Sequence, residues 1–240
     1  MISVIVPAHN EEAWLPATLD SIRAAADQVR ARSGVGVETI VVDNDSTDAT
    51  AAIALDRGAS VVHEPVRSIG RARNTGARRA SGEVLVFVDA DVHIPRDLIE
   101  VIHETMGDPQ CLGGGVDTEH HPRRLVVRLH LRAWRVLASV IPLVQGATQF
   151  CRRSAFDEVG GYPEDVWMGE DTDFYAELRK LARKTRGSVR VIRAPRVRPS
   201  SRRFDEWPVW KTLVWTNPLF IALFRRWKAV WGGWYARPVR

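Results

Sequence analysis

Cysteine is scarce in this chain of 240 residues, which contains only Cys111 and Cys151. The two lie far apart in sequence and match no spacing typical of a metal site. Free thiols in a reducing cytosol are the simplest interpretation. Met1 is followed directly by a strand-like run, without a basic leader, an apolar signal core or a cleavage site, so we expect a cytoplasmic protein rather than a secreted one.

A long hydrophobic run and a dinucleotide-binding fingerprint are also missing. The uncharged run 212–224 is shorter than the roughly 18–20 residues needed to cross a bilayer, and Pro218 interrupts it. After the first predicted strand, the sequence reads Pro7-Ala8-His9-Asn10 where a Rossmann oxidoreductase would have G-x-G-x-x-G. These absences argue against a membrane-spanning protein and against a Rossmann oxidoreductase.

The composition fits one sizeable α/β domain, since 45% hydrophobic residues are enough for a core. A net charge of +5 and an isoelectric point near 9.7 favour anionic partners. Charge alone leaves phosphorylated small molecules, anionic lipid surfaces and nucleic acid open. Nucleic acid is not expected, because the clustered carboxylates described below would repel its phosphates unless metal is present.

The first half of the chain has a βαβ rhythm. Short β-branched runs are separated by segments long enough for crossover helices, and lie at residues 2–6, 37–42, 60–62 and 84–88. One helix is predicted from Leu15 onwards with Gly34 beyond its end, and a shorter one from Asp48 to Leu55, stopping at Gly58. Nearly continuous apolar strands are typical of parallel sheets covered on both faces. The sequence therefore predicts an open, mostly parallel, Rossmann-like sheet with helices on both faces.

Polar clusters follow each predicted strand, at residues 7–10, 43–48, 71–74 and 89–91. In open α/β sheets the ligand crevice lies at the carboxyl ends of the strands, so the clusters should converge on one edge. Asp89 and Asp91 point the same way on an extended chain, and one carboxylate could hold Mg²⁺ or Mn²⁺ while the other reaches a neighbouring ligand group. A plain strand end is the alternative for such a pair in isolation.

Several of these segments resemble motifs of the nucleotide-sugar-dependent glycosyltransferases of family 2, which have the GT-A fold. The resemblance covers roughly residues 2–180, and the matching segments are 4–12, 41–50, 72–76, 87–91, 156–162 and 169–173. It implies a nucleotide-sugar donor, a divalent metal bound by Asp91, and Asp89 facing the ribose or a metal-bound water. The residues expected to contact the nucleotide sugar are Pro7, Ala8, His9, Glu11, Asp43, Arg71, Arg73, Asp89 and Ala90.

Two departures from the family pattern leave the base open between uracil and guanine. His9 replaces the usual tyrosine, and residues 43–46 read Asp-Asn-Asp-Ser where Asp-Asp-Gly-Ser is usual. Asp43 ends a buried strand and offers a fixed acceptor to a base imide. For Asp45, Ser46 and Asp48, the alternative is an Asx-type turn and a helix cap.

On the acceptor side, Asp171 is the predicted general base and Glu170 the residue that orients the acceptor. Both precede the helical stretch 174–181, where a helix N-terminus can position a carboxylate and lower its pKa. Ordinary helix capping is the alternative for Asp171 and Asp173. Arg71 and Arg73 lie in a cationic loop that opens a helix and could bind phosphates. A solvated basic helix face is the alternative for Arg73.

The rest of the chain reads as amphipathic and basic. Arginines recur at helical spacing from Arg124 to Arg135, and a tail rich in tryptophan, lysine and arginine follows. This is the chemistry of a membrane interface, but the tail could instead dock on its own domain or form a homodimer contact. The basic stretch 195–203 could supply phosphate contacts or serve as a linker.

We therefore expect a GT-A domain at residues 1–204, with a nucleotide-binding half (1–115) and an acceptor half (116–204), and an amphipathic helical tail at 205–240. The expected function is metal-dependent, inverting transfer of a sugar from a UDP- or GDP-sugar to an unknown acceptor, with a polyprenyl-linked lipid or glycolipid as one candidate. The alternatives are a retaining transferase on the same fold and a catalytically silent nucleotide-sugar-binding protein.

Overall fold

A computed structural model describes residues 1–140, 146–227 and 230–231. The described strands form one eight-stranded sheet in the order β3-β2-β1-β4-β7-β6-β8-β5. Their bounds are β1 Ile2–Ala8, β2 Val37–Asp43, β3 Ser60–His63, β4 Val84–Val88, β5 Val92–His93, β6 Cys111–Thr118, β7 Thr148–Arg152 and β8 Ser188–Pro199.

The four strands predicted from the sequence are β1 to β4, and they pair in parallel throughout. The remaining pairings are mixed: β7 runs antiparallel to both β4 and β6, β8 runs parallel to β6, and β5 runs antiparallel to β8. The open α/β sheet is thus confirmed, and its parallel part lies in the predicted nucleotide-binding half. The second half departs from the mostly parallel expectation because β7 returns beside β4 in the opposite direction.

Ten helices lie within the described residues. They are α1 Leu15–Ser33, α2 Thr50–Asp56, α3 Ile69–Arg79, α4 Leu98–Met106, α5 Leu125–Val140, α6 Arg153–Val159, α7 Glu170–Thr185, α8 Arg202–Glu206, α9 Val209–Trp215 and α10 Pro218–Phe224. The first helix ends at Gly34, whose φ of 66° is the left-handed conformation that glycine adopts without strain. Helix α7 begins four residues before the predicted stretch, so Glu170 and Asp171 belong to its first turn.

The core has two layers because side chains alternate across each strand. Val4 and Val6 of β1 pack in one cluster with residues of α1 and α4, whereas Ile5 packs in a second cluster with residues of α3, α6 and α7. Helices therefore cover both faces, as predicted. Gly76 of α3 lies so close to β1 that an added Cβ would be 2.3 Å from Ile5 Cγ2, so only glycine allows this contact.

The C-terminal helices pack against the domain, with α9 in contact with α5. Helix α8 spans the predicted boundary between residues 204 and 205, and the division into domain and tail stays a prediction. Lys228, Trp234 and Arg237 of the predicted tail lie outside the described residues, as does the side chain of Arg135. Within the described part of the chain, no helix combines the length and the apolar character required to cross a membrane.

Candidate functional site

The loops after β1 and β2 are tied together by hydrogen bonds. Ser46 Oγ accepts a bond from the Asn10 N–H at 3.0 Å, and Asp48 Oδ2 accepts one from the Glu12 N–H at 3.1 Å. Asp48 Oδ1 also accepts from the N–H of Thr50, at the start of α2. Asp48 thus makes a local turn bond at the start of α2, as the turn-and-cap alternative expects, whereas Ser46 joins the two loops.

His9 and Asp43 lie side by side at the ends of β1 and β2. His9 Nδ1 is 2.7 Å from the Asn44 carbonyl oxygen, so the Nδ1–H donates, and His9 Nε2 accepts from the Asn10 amide. Burial lowers the pKa of His9, which keeps this neutral form. Asp43 is 8% exposed, and its Oδ1 accepts from the Ser46 N–H at 3.2 Å. Both residues predicted to face the base are therefore fixed by their neighbours.

Arg73 is the charged centre of the site and is only 2% exposed. Its Nη1 lies 2.6 Å from Glu170 Oε1 and its Nη2 lies 2.8 Å from Asp89 Oδ1. The guanidinium also lies 5.0 Å from the centre of the Tyr162 ring. Although burial disfavours the cation, the two carboxylates raise the pKa of Arg73. One buried arginine thus joins the predicted metal motif to the predicted catalytic motif.

The two carboxylates of the metal motif have different arginine partners. Asp89 pairs with Arg73, whereas Asp91 Oδ2 lies 3.3 Å from Arg202 Nη2. Burial raises the pKa of Asp89 to about 6; Arg73 opposes the shift, and the negative charges of Asp91 and Glu170 add to it. Arg202 also binds Glu11, whose pKa is raised by burial despite the arginine.

These carboxylates fit a hard divalent cation. The described residues contain no group of three or more His, Cys, Asp or Glu side chains able to hold a metal by themselves. Mg²⁺ in particular is often held by one or two carboxylates together with substrate phosphates and water. Asp91 is already paired with the buried guanidinium of Arg202, so a metal at this carboxylate would meet a second positive charge.

Asp171 lies in the first turn of α7 and is partly buried. Its Oδ1 accepts a hydrogen bond from the Thr172 N–H at 2.8 Å. Burial raises the pKa of Asp171 to about 7, the charge of Glu170 adds to the shift, and Arg73 opposes it. The expectation that this pKa is lowered is therefore wrong, because desolvation and the neighbouring carboxylate of Glu170 raise it.

Three residues around Asp171 had no assigned role in the sequence. Gln149 of β7 donates from Nε2 to the Asp171 carbonyl oxygen at 3.0 Å, and Tyr162 donates its hydroxyl to Gln149 Oε1 at 2.8 Å. Gly146 lies so close that an added Cβ would be 2.0 Å from Asp171 Oδ2. Tyr162 lay inside a recognised motif, whereas Gln149 and Gly146 lay in a region without motif resemblance.

The other predicted nucleotide contacts are held in different ways. Arg71 pairs with Glu64 at 3.3 Å and with Glu164 at 3.1 Å, so two carboxylates compete with any phosphate for its charge. Pro7 is buried in β1. The Ala90 carbonyl oxygen accepts a bond from Thr18 Oγ1 at 2.8 Å, which anchors the metal motif to α1.

The described tail docks beside the predicted catalytic motif. Both terminal nitrogens of Arg225 bind the carboxylate of Asp173, in the first turn of α7. The Trp167 N–H donates to the Arg225 carbonyl oxygen at 2.9 Å, and Arg226 lies 3.3 Å from Asp165. Of the alternatives for the tail, docking on its own domain is therefore realised in this part of the chain.

Comparisons with solved structures reveal close matches in fold. A mannosyltransferase from Pyrobaculum calidifontis, in complex with GDP-Man and Mn²⁺, aligns with a TM-score of 0.64 and 25% identity over 82% of this chain and 56% of that one. Glucosyl-3-phosphoglycerate synthase from Mycobacterium tuberculosis, in complex with Mn²⁺, UDP and glucosyl-3-phosphoglycerate, aligns with a TM-score of 0.61 and 22% identity. The alignment covers 94% of this chain and 79% of that one. The GT-A fold is thereby confirmed.

Sequence comparison identifies the family. An uncharacterized glycosyltransferase of Mycobacterium tuberculosis (strain H37Rv) is 35% identical over 130 residues, which are 54% of this chain and 51% of the relative. The chain thus spans about half the length of the curated relatives it matches first. The model of glycosyl transferase family 2 matches residues 3–160. The chain therefore belongs to glycosyl transferase family 2.

Proposed function

We propose that this chain transfers a sugar from a UDP- or GDP-sugar to an acceptor, with inversion of the anomeric centre and with Asp171 as the general base. The observation that carries the proposal is the direct link between two motifs through Arg73, whose guanidinium binds both Asp89 and Glu170. This link supports the proposal, because Asp171, the proposed base, directly follows Glu170 in the chain. A catalytically silent binding protein would not require a base there.

On the donor side, His9 and Asp43 would face the base, and Asp91 and Asp89 would hold Mg²⁺ or Mn²⁺. When bound, the metal would act as a Lewis acid that stabilises the charge of the departing diphosphate. Asp43 offers the base an acceptor fixed by Ser46, and its 8% exposure means that a mismatched base would lose a hydrogen bond in a poorly solvated place. Mn²⁺ and GDP-Man in the Pyrobaculum structure support this assignment.

On the acceptor side, a general base works best when its pKa lies near the working pH. The pKa of about 7 at Asp171 meets this condition, because the carboxylate is partly ionised at neutral pH and still basic enough to take a hydroxyl proton. Glu170, held by Arg73, would orient the acceptor. A retaining enzyme on the same fold needs no base at this position, so loss of Asp171 separates the two mechanisms.

The donor site is tested by calorimetry with UDP, GDP and their common sugar conjugates, in Mn²⁺, Mg²⁺ or EDTA. We expect one diphosphate to bind in a metal-dependent manner and this binding to be lost in Asp91→Ala. Asp27→Ala is the matched control, because Asp27 lies on α1 with 62% of its side chain exposed. If no nucleotide binds to the folded protein under any metal condition, the transferase proposal fails.

We further propose that the acceptor is lipid-linked and that the protein contacts the cytoplasmic face of a membrane. Large apolar side chains are exposed on α5, α9 and α10, namely Leu125 (61%), Val126 (58%), Leu129 (54%), Trp210 (65%) and Leu223 (74%), and Trp227 follows α10 at 62%. Arg132 on α5 and Arg226 next to Trp227 are exposed as well. Tryptophan and leucine beside arginine match the surface of an anionic bilayer.

Flotation with anionic liposomes tests the membrane contact. We expect the protein to float, and the triple variant Trp210→Ala, Leu223→Ser, Trp227→Ala to remain at the bottom. Leu55→Ser is the control, since Leu55 on α2 is equally exposed at 61%. Wild-type protein that stays at the bottom contradicts the proposal, and a concentration-dependent increase in mass that the triple variant abolishes would assign the surface to a homodimer instead.

A further inference from the structure

A buried arginine forms an ion pair with the carboxylate that is expected to hold the metal. Arg202 is 6% exposed in its side chain, and its Nη2 lies 3.3 Å from Asp91 Oδ2 and also binds Glu11 Oε1. The guanidinium lies 5.3 Å from the centre of the Trp14 ring, which encloses it further. Residues from the two ends of the chain thus meet around one positive charge.

The backbone fixes Arg202 at this place. Strand β8 pairs antiparallel with β5 directly after the metal motif, with Val92 opposite Pro199. The Ser200 N–H donates to the Asp91 carbonyl oxygen at 2.9 Å, and Ser200 Oγ accepts from the Arg202 N–H at 3.3 Å. The segment that carries the arginine is therefore bonded to the segment that carries the carboxylate, and the contact is part of the fold.

We propose that Arg202 acts as a resident counter-cation: it holds Asp91 until a diphosphate enters and then gives its positive charge to the diphosphate. The proposal rests on the proposed function, since it takes Asp91 as the metal ligand. Two cations on one carboxylate repel each other, so the arginine opposes binding of a divalent metal when no diphosphate is present. A diphosphate attracts both cations and removes this conflict.

Glu11 gives the arginine a second anchor during this exchange. Because Glu11 binds the same nitrogen of Arg202 as Asp91 does, the guanidinium can leave Asp91 and remain in the site. The consequence is a preferred order of events in which metal and nucleotide bind together. Arg202 is in this sense a positioning residue for the metal carboxylate and a ligand for the donor phosphates.

The test is a Mn²⁺ titration of the full chain without nucleotide, followed by electron paramagnetic resonance of the free ion. We expect Arg202→Gln to bind Mn²⁺ alone at least tenfold more tightly than wild type, equivalent to about 1.4 kcal/mol. The same variant should bind UDP or GDP in Mn²⁺ at least fivefold more weakly. Arg202→Lys keeps the charge and should stay close to wild type for Mn²⁺ alone. Arg203→Gln, which removes the same charge one residue later, should change Mn²⁺ binding less than twofold.

The outcomes separate this proposal from the proposed function. Unchanged Mn²⁺ binding in Arg202→Gln overturns the role of Arg202, even when nucleotide binding in wild type still requires Asp91 and metal. Absence of any metal-dependent nucleotide binding overturns both. If Arg202→Gln fails to fold, the test is made on the wild-type protein. Pyrophosphate should then tighten Mn²⁺ binding to the protein more than tenfold, after correction for Mn²⁺–pyrophosphate association in solution. A smaller increase contradicts the proposal.

Discussion

The loops of the first half and the contacts that link the two halves hold their polar groups in different ways. In the predicted nucleotide-binding half, neighbouring loops bind each other through backbone N–H groups, as Ser46 and Asp48 do with residues 10 and 12. Between this half and the predicted acceptor half, charges are joined over long sequence distances, such as Arg73 to Glu170 and Arg202 to Glu11. The loops are therefore closed by several local bonds, whereas the predicted catalytic arrangement depends on a few buried ion pairs.

This difference predicts where the molecule is sensitive. A loop closed by several local hydrogen bonds keeps its shape when one bond is lost, since each contributes only about 1 kcal/mol. A buried arginine between two carboxylates has no substitute, and its loss leaves uncompensated charges in a poorly solvated place. Substitutions at the long-range pairs should thus lower the free energy of unfolding more than substitutions in the loops do.

Arg73→Met should have the largest effect. Removing the guanidinium leaves Glu170 and Asp89 unpaired, and we expect the free energy of unfolding to fall by about 3–5 kcal/mol. Arg79→Met, an exposed position on the same helix, should cost less than about 0.5 kcal/mol. Denaturant unfolding at neutral pH measures both. Equal losses in the two variants would contradict the central role of Arg73.

Asp171 should make stability and activity depend on pH in opposite directions. Its pKa of about 7 lies above the usual value near 4, so the folded state resists ionisation, and stability falls as pH rises from about 4 to about 7. Asp171→Asn does not ionise, and its stability relative to wild type should grow by about 1–3 kcal/mol across this window. Transfer by wild type should increase up to about pH 7, since the base must be ionised.

Paired unfolding curves at pH 4 and pH 8 test the stability part of this prediction. A constant difference between wild type and Asp171→Asn at the two pH values would show that the carboxyl is not buried as described. The activity part is measured as the transfer rate at saturating donor against pH. A rate that is level from pH 5 to pH 8 would argue against a base with a raised pKa.

Gly146→Ala should lower activity with little loss of stability. The new methyl group would meet Asp171 Oδ2 at 2.0 Å and push the carboxylate out of place. We expect a rate reduced by about tenfold to a hundredfold, because small displacements at a reacting centre are costly, and unchanged donor affinity. Gly36→Ala is the control, since its added methyl meets only Met1 Cγ, at an ordinary 3.8 Å. Equal activities of the two variants would contradict the contact.

Arg225→Ala should have the smallest effect on stability. Its pair with Asp173 is about one quarter to one third exposed, so the expected loss is about 1 kcal/mol or less. Release of the tail should nevertheless appear as faster proteolysis after residue 215. Lys180→Ala is the control, because it breaks an exposed pair with Glu177 on α7, the helix that carries Asp173. Identical proteolysis of the two variants would show that Arg225 does not fasten the tail.

The sequence allowed the parallel half of the fold to be predicted because local signals coincide there. Apolar runs define β1 to β4, Gly34 and Gly58 mark helix ends, and three of the four polar clusters lie at strand ends, whereas residues 71–74 lie within α3. The GT-A fold and the family followed from motifs in the same region. Strands β6 to β8 carry weaker signals. Strand β8, for example, alternates apolar residues with arginines, a pattern that also fits a charged linker.

The composition of the site could be predicted better than its pairing. Asp89, Asp91, Glu170 and Asp171 were all singled out from the sequence, but no local pattern indicates that Arg73 joins two of them. The sign of the pKa shift at Asp171 was wrong for the same reason, since it depends on burial and on Glu170. Gln149 and Arg202 reach the site only through the antiparallel part of the sheet, which sequence periodicity did not reveal.

The most direct test of the central claim compares Asp171→Asn with wild type in two assays on the same preparation. Donor binding is measured by calorimetry with the preferred nucleotide sugar and Mn²⁺, and transfer is measured with that donor and a lipid extract as acceptor. The account predicts donor affinity within about threefold of wild type and a transfer rate reduced by about 10²–10⁴, with a wild-type product of inverted anomeric configuration. Transfer that survives in Asp171→Asn, with retention of configuration, would contradict it.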